Sequence, residues 1–171
     1  MPDITLRWCH DHGMLEPLAR FFAANVTTSY ISHSELQTGR ALTPTQWNPD
    51  IERIFRDEMA LRLSQPAGGA LRVAVAQRDG SLVGLAYVTF TKEVPRPFII
   101  LEDIVVHRAI RGGGIGQAIV DWVLAAARGE GIVRAFLESG ASNHDAHDFF
   151  ERNGFHQTSI VMMADLGDEP A

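Results

Sequence analysis

Apolar positions along this chain change their spacing several times, and each change marks an element. From Ile4 to Trp8 apolar and polar residues alternate, as in a strand with one buried face. Leu15, Leu18, Phe22 and Val26 then recur at three- and four-residue steps, which predicts a helix over residues 15–26. Thr27 to Gln46 is polar, carries Gly39 and Pro44, and reads as a long loop or a short broken helix. Asn48-Pro49 opens the next helix, with Asn at the N-cap and Pro at the first helical position. Ile51, Ile54, Phe55 and Met59 line one face of it, and Pro66-Ala67-Gly68-Gly69 closes it.

Leu71–Ala76 and Leu82–Thr91 are strand-like and joined through Arg78-Asp79-Gly80, a hairpin signal. Phe98 to Val106 is almost continuously apolar, as in a central strand covered on both faces. Ile115, Ile119, Trp122 and Ala126 fall on one face of a helix ending near Gly129 or Gly131. Ile132–Glu138 reads as another buried strand. Asn143–Asn153 reads as a short helix stopped by Gly154, and Phe155–Leu166 as closing strands. The order βααβββαβαβ is that of an α/β (α+β) domain with a mixed sheet.

Composition narrows this picture. The 171 residues suit one domain with a full-sized core, and 46% hydrophobic with 21% charged content is that of a globular protein. No stretch approaches the ~20 apolar residues that span a bilayer. The N-terminus does not read as a secretory signal, so a cytoplasmic, membrane-free protein is expected. The single cysteine, Cys9, cannot form an internal disulfide and reads as a packing residue. A net charge of −6 argues against nucleic acid as the main partner and suits a cationic amine.

The chemistry centres on Arg111-Gly112-Gly113-Gly114-Ile115-Gly116, set between the apolar strand and the helix. A glycine-rich turn opening a helix aims free backbone N–H groups at one point on the positive end of the helix dipole, which is a phosphate-binding device. A Walker A loop needs Gly-Lys-Ser/Thr, but Gly116 is followed by Gln117-Ala118. A dinucleotide fingerprint needs Gly-x-Gly-x-x-Gly. Its last glycine would fall on Gln117 or Ile119, so neither reading fits. Arg-x-x-Gly-x-Gly remains. In the strand before it, Glu102 and Asp103 interrupt the apolar run, and two carboxylates there are expensive to bury unless hydrogen-bonded or functional. Adjacent strand side chains face opposite ways, so at most one should enter a given cleft.

With Leu101-Glu102-Asp103-Ile104-Val105-Val106 before the turn, and Asn143-x-x-Ala146 followed by Phe149-Phe150-Glu151-Arg152-Asn153-Gly154-Phe155 after it, the segment from about Leu101 to Phe155 resembles the cofactor-binding half of the GNAT superfamily of N-acetyltransferases. The resemblance implies one domain over residues 1–171, with residues 1–66 on the acceptor side and 98–155 as the acetyl-CoA-binding core. It implies a mixed, mostly antiparallel sheet flanked by helices, whose central strands splay to form the acetyl-CoA cleft. It further implies that the backbones of Ile104, Val105 and Val106 pair with the pantetheine arm. Arg111, Gly112, Gly113, Gly114, Ile115, Gly116 and Gln117 would wrap the pyrophosphate, and Asn143 would contact the cofactor arm. Glu102, preferred to Asp103, would serve as general base directly or through water, or bind a cationic amine. The family usually places a tyrosine at Phe150 to protonate the leaving thiolate, which phenylalanine cannot do. His144 and His147 lie on the same helix as candidates to replace it.

The expectation is an enzyme that moves acetyl from acetyl-CoA to a primary amine of a small molecule, by direct attack in a ternary complex and without a metal. Protein or peptide acetylation, and a non-catalytic acyl-CoA sensor, are the alternatives. Tyr30, His33, Glu35, Arg40 and Trp47 sit in or beside the polar segment that should build the acceptor side. Proteins similar to this one are often dimers.

Overall fold

The computed structural model describes residues 3–164 and 166. Strand β1 (Thr5–Cys9) leads to helix α1 (Leu15–Asn25), short helix α2 (His33–Gln37), a small hairpin of β2 (Ala41–Thr43) and β3 (Gln46–Trp47), and helix α3 (Ile51–Leu63). Then follow β4 (Leu71–Arg78), β5 (Ser81–Thr91), β6 (Phe98–Val106), α4 (Ile115–Gly129), β7 (Arg134–Leu137) and α5 (His144–Arg152). The main sheet has the order β1-β4-β5-β6-β7. Neighbours are antiparallel except β6 and β7, which run parallel. This is the expected mixed, mainly antiparallel sheet.

Each face of the sheet buries its own core. Leu18, Phe22, Phe55, Met59 and Leu63 from α1 and α3 cover Val73, Val75, Leu85 and Tyr87. Ile115, Ile119, Val120 and Val123 of α4 cover Ala74, Ala76, Ala86, Val88 and Ile99 on the opposite face. Burial of each valine, leucine, isoleucine, phenylalanine or methionine among these contributes roughly 1.5–3 kcal/mol. The β4–β5 turn has both Asp79 (φ 49°) and Gly80 (φ 76°) in the left-handed region, as a two-residue hairpin with the sheet's twist requires. The Asn48 side chain accepts from the Asp50 amide at 2.9 Å, so it caps the turn that leads into α3. Cys9 is buried in the first core.

The polar segment expected as a loop or broken helix is more ordered than its pattern suggested. Ser32 and Glu35 form a reciprocal capping box that starts α2, and the β2–β3 hairpin follows. Phe155–Leu166, expected as closing strands, holds no strand among its described residues, and Ile160 and Met162 are 77% and 90% exposed. An apolar run becomes a strand through cross-strand pairing, and this segment has no ladder partner. Among the described residues no helix is long and apolar enough to cross a membrane.

One close approach fixes the segment between α1 and α2 to the sheet. A Cβ at Gly140, just beyond β7, would lie 2.4 Å from the Ile31 carbonyl oxygen and 2.7 Å from that of Ser29. Those carbonyls flank Tyr30, so only glycine lets this loop seat the turn that carries Tyr30. Gly140→Ala should destabilise the fold by about 1–3 kcal/mol through overpacking. Thermal denaturation should show a midpoint several degrees lower; an unchanged midpoint would mean that the two loops separate freely.

Candidate active site

The site begins where the sheet divides. β6 and β7 pair from Phe98↔Arg134 to Leu101↔Leu137, after which β6 continues to Val106 without β7 beside it. At the same point the β5–β6 ladder jumps from Val88↔Leu101 to Tyr87↔Asp103, leaving Glu102 as the extra residue of a bulge. The bulge exchanges the faces of β6. Ile99 and Leu101 belong to the α4 core, whereas Val105 belongs to the α1–α3 core. Glu102 and Asp103 consequently both reach groups on the α1–α3 side, although strict alternation would have separated them.

The ladder also decides which backbone groups face the cleft. The His107 N–H donates to the Val83 carbonyl at 3.0 Å, and Val105, opposite Leu85, shares that phase. Ile104 and Val106 therefore turn their N–H and C=O groups away from β5. In keeping with this, the Ile104 N–H donates to Tyr30 Oη at 3.2 Å, and the Val106 carbonyl accepts from Arg111 Nε at 3.4 Å.

Beyond β6, Gly112 (φ 81°) and Gly114 (φ 79°) adopt left-handed conformations that side chains resist. Helix α4 opens with the Ala118 N–H on the Gly114 carbonyl at 3.0 Å, so the amides of Ile115, Gly116 and Gln117 are left unpaired by the helix. Gly113 has an ordinary φ, but a Cβ on it would press on the Ile110 carbonyl at 3.2 Å. At Gly116 a Cβ would make ordinary contact with Phe149 at 3.6 Å. The Arg111 side chain turns back to the Asn25 carbonyl at 2.5 Å, and the Gln117 amide donates to Asp121 and Asn153. What these residues present at the turn is main chain.

A charged network closes the other side. Arg40 Nη1 donates to both oxygens of buried Asp103, at 3.2 and 3.1 Å, and lies 3.5 Å from Glu35. Its Nε and Nη2 hold Glu58, and its guanidinium lies 5.2 Å from the centre of the Phe55 ring. Burial works to lower the Arg40 pKa, but the negative charge of Asp103 and Glu58 prevails and the net shift is upward. Tyr30 donates to Asp103 Oδ1 at 2.8 Å. Burial, reinforced by Asp103, raises its pKa well above the ordinary phenol value, so it stays protonated at neutral pH. Glu102 is held by Arg62 of α3 and by Thr89 of β5.

These parts enclose one cavity of about 1160 Å³. Ile104, Val105, Val106, the Arg111–Gln117 turn (Gly113 excepted), Asn143 and Phe150 line it from β6, the start of α4 and α5; Tyr30, Glu35 and Arg40 line it from the segment between α1 and β2, and Glu102 and Glu138 from the division of β6 and β7. The Asn143 side chain makes no capping bond to α5. His144 and His147 pack edge to face at 5.9 Å and are not part of the wall, and neither are His33 and Trp47. Sequence reasoning did not single out Asp103 as the hub of a network, Arg62 as the partner of Glu102, or Glu138. Among the described residues no group of three or more His, Cys, Asp or Glu could hold a metal ion.

A divided sheet whose next turn offers unpaired amides at a helix start is suited to receive a phosphate-bearing ligand. The chain belongs to the Acetyltransferase (GNAT) family, which it matches over residues 35–155. It is 24% identical over 140 residues to the uncharacterized N-acetyltransferase YycN of Bacillus subtilis, covering 82% of this chain and 88% of that protein. It is 28% identical over 106 residues to the aminoalkylphosphonate N-acetyltransferase of Salmonella typhimurium, covering 61% of this chain and 67% of that one. The aminoglycoside N-acetyltransferase AAC(6')-Iy, solved in complex with CoA, has the same fold at a TM-score of 0.67 and 16% identity, over 96% of this chain and 97% of that one.

Removing Arg40 would leave Asp103 and Glu35 buried without their cation. Arg40→Ala should therefore lower stability by about 3–5 kcal/mol, seen as a fall of the order of 10 °C in the thermal midpoint. A midpoint unchanged within error would show that the network is solvated rather than buried.

Proposed function

We propose that the protein transfers acetyl from acetyl-CoA to a primary amine of a small molecule, by direct attack within a ternary complex. The carrying observation is that one cavity joins the unpaired amides of the Gly112–Gln117 turn to the opened edge of β6, with Glu102 at the point of division.

The residues present suit the cofactor. Left-handed glycines let the turn's main chain approach a pyrophosphate closely, and the α4 start favours its charge. The cleft-facing backbones of Ile104 and Val106, with Asn143, would hold the pantetheine arm. Acetyl-CoA, when bound, supplies the acyl thioester. The Ile104 N–H turns to the cleft and there donates to Tyr30 Oη, so it would stabilise negative charge developing on an acyl oxygen by exchanging that bond. Glu102 accepts the amine proton, directly or through one water, and Arg62 and Thr89 hold its carboxylate in place.

Phe150 offers no proton. Of the two tyrosines, Tyr87 is buried with its hydroxyl on Met59 Sδ at 3.0 Å, and Tyr30 is engaged with Asp103. The thiol therefore departs as the thiolate, which an ordinary thiol pKa of ~8.5 permits. The preference for a small molecule is supported by the cavity wall that Tyr30, Ser32, Ser34 and Glu35 build, and by relatives whose names specify an aminoalkylphosphonate and an aminoglycoside.

Glu102→Gln should lower kcat by about 100-fold or more while the acetyl-CoA Kd from isothermal titration changes less than about twofold. Unchanged turnover would remove Glu102 from the mechanism, and a sensor without catalysis would show no amine-dependent turnover in either protein. Gly114→Val forces a branched side chain into the left-handed region and should weaken acetyl-CoA binding about tenfold or more. Retained affinity in that variant would contradict the assignment of the turn.

A further inference from the structure

The charges around the acceptor end are unevenly matched. Glu35, Glu58 and Asp103 share Arg40, Glu102 has Arg62, and Glu138 has only the His33 ring. Both guanidinium groups are engaged: Arg40 with Glu35, Glu58 and Asp103, and Arg62 with Glu102. Arg62 keeps one unpartnered nitrogen, but that atom is buried and Arg62 does not line the cavity. The His33 ring sits on Glu138. Of the other arginines in the wall, Arg111 holds the Asn25 carbonyl and Arg152 lies on α5 two residues beyond Phe150, so among the described residues no cation without a carboxylate partner comes from the segment between α1 and β2 or from the division of β6 and β7.

The parallel register adds position to this charge. Leu101 pairs with Leu137, so Glu102 and Glu138 are the next residues on either side of the division. Both project toward the helical layer over the acceptor end, Glu102 to Arg62 of α3 and Glu138 to His33 and to Ser34, at 3.5 Å, of α2. A carboxylate has about four acceptor positions, and two neighbours do not fill those of Glu138. Ser139, the following residue, lines the cavity with a buried Oγ that has no hydrogen-bond partner.

We propose that the acceptor is a small amine with at least two cationic nitrogens and no anionic group. Glu102 faces the reacting nitrogen, and Glu138 receives the second one. This rests on reading the cavity as an acetyltransferase site, and deepens that reading by naming the acceptor class and Glu138 as a residue that determines it.

The test measures thiol release from saturating acetyl-CoA by the full chain with butylamine, putrescine, spermidine and aminoethylphosphonate, alongside titration of acetyl-CoA. The expected kcat/KM for putrescine or spermidine exceeds that for butylamine by about tenfold or more, with aminoethylphosphonate lowest. Glu138→Gln should reduce that preference about tenfold through KM, with acetyl-CoA affinity retained. Aminoethylphosphonate turned over as well as the diamines would overturn the proposal. So would a Glu138→Gln change that lowers butylamine and putrescine turnover equally, or acetyl-CoA binding with no turnover of any diamine. If butylamine is acetylated without any preference for a second cation, this inference fails and the acetyltransferase reading stands. If acetyl-CoA does not bind, both fail.

Discussion

One extra residue in β6, Glu102, sets the geometry on which the rest of the site depends. Without the bulge, β6 would keep a single phase from Phe98 to Val106 and Asp103 would face the α4 core, where nothing is placed to receive its charge. With it, Asp103 turns to Arg40 and Tyr30, Glu102 to Arg62 and Thr89, and Ile104 presents its N–H to the cleft. Pairing with β7 stops at the same level, so one register change both opens the sheet and places the carboxylates at the opening.

That arrangement brings five carboxylates near one another, and their mutual repulsion has to be offset. Arg40 and Arg62 do this from below the cavity, each packed against an aromatic ring: Arg40 over Phe55, and Arg62 4.4 Å from the centre of the Tyr87 ring. Phe22, Phe55 and Tyr87 stack in turn, at 3.6 and 4.7 Å between centroids. Core packing and site electrostatics are therefore one structure, since the rings that fill the α1–α3 core also hold the cations that let Asp103 and Glu35 be buried. The surplus of negative charge remains on the cavity side, where Glu102 and Glu138 face the space an amine would enter.

Much of this was legible in the chain itself. The long strands and helices announce themselves by period, and β6 was placed residue for residue because an apolar run broken only by Glu102 and Asp103 admits little else. The glycine turn was legible as a motif, and two of its three consecutive glycines do adopt the left-handed conformations that make glycine necessary. Short elements were not legible. Helix α2 and the β2–β3 hairpin are held by a capping box and by packing rather than by an apolar stripe. The bulge was invisible because register belongs to a pair of strands. Asp103 and Arg40 stand 63 residues apart, and Arg62 and Glu102 40 apart, so no local pattern links them. The tail from Phe155 carried a strand-like composition without the partner strand that would make it one.

The central claim is that the divided sheet brings an acyl thioester and an amine together at Glu102. Amine-dependent release of free thiol from acetyl-CoA, followed continuously with the wild-type chain, tests it most directly. The account predicts release that rises with amine concentration, saturates, and yields the N-acetylated amine in equal amount to the thiol. Acetyl-CoA that stays intact in the presence of every amine supplied, or thiol release with no acetylated amine formed, would contradict it.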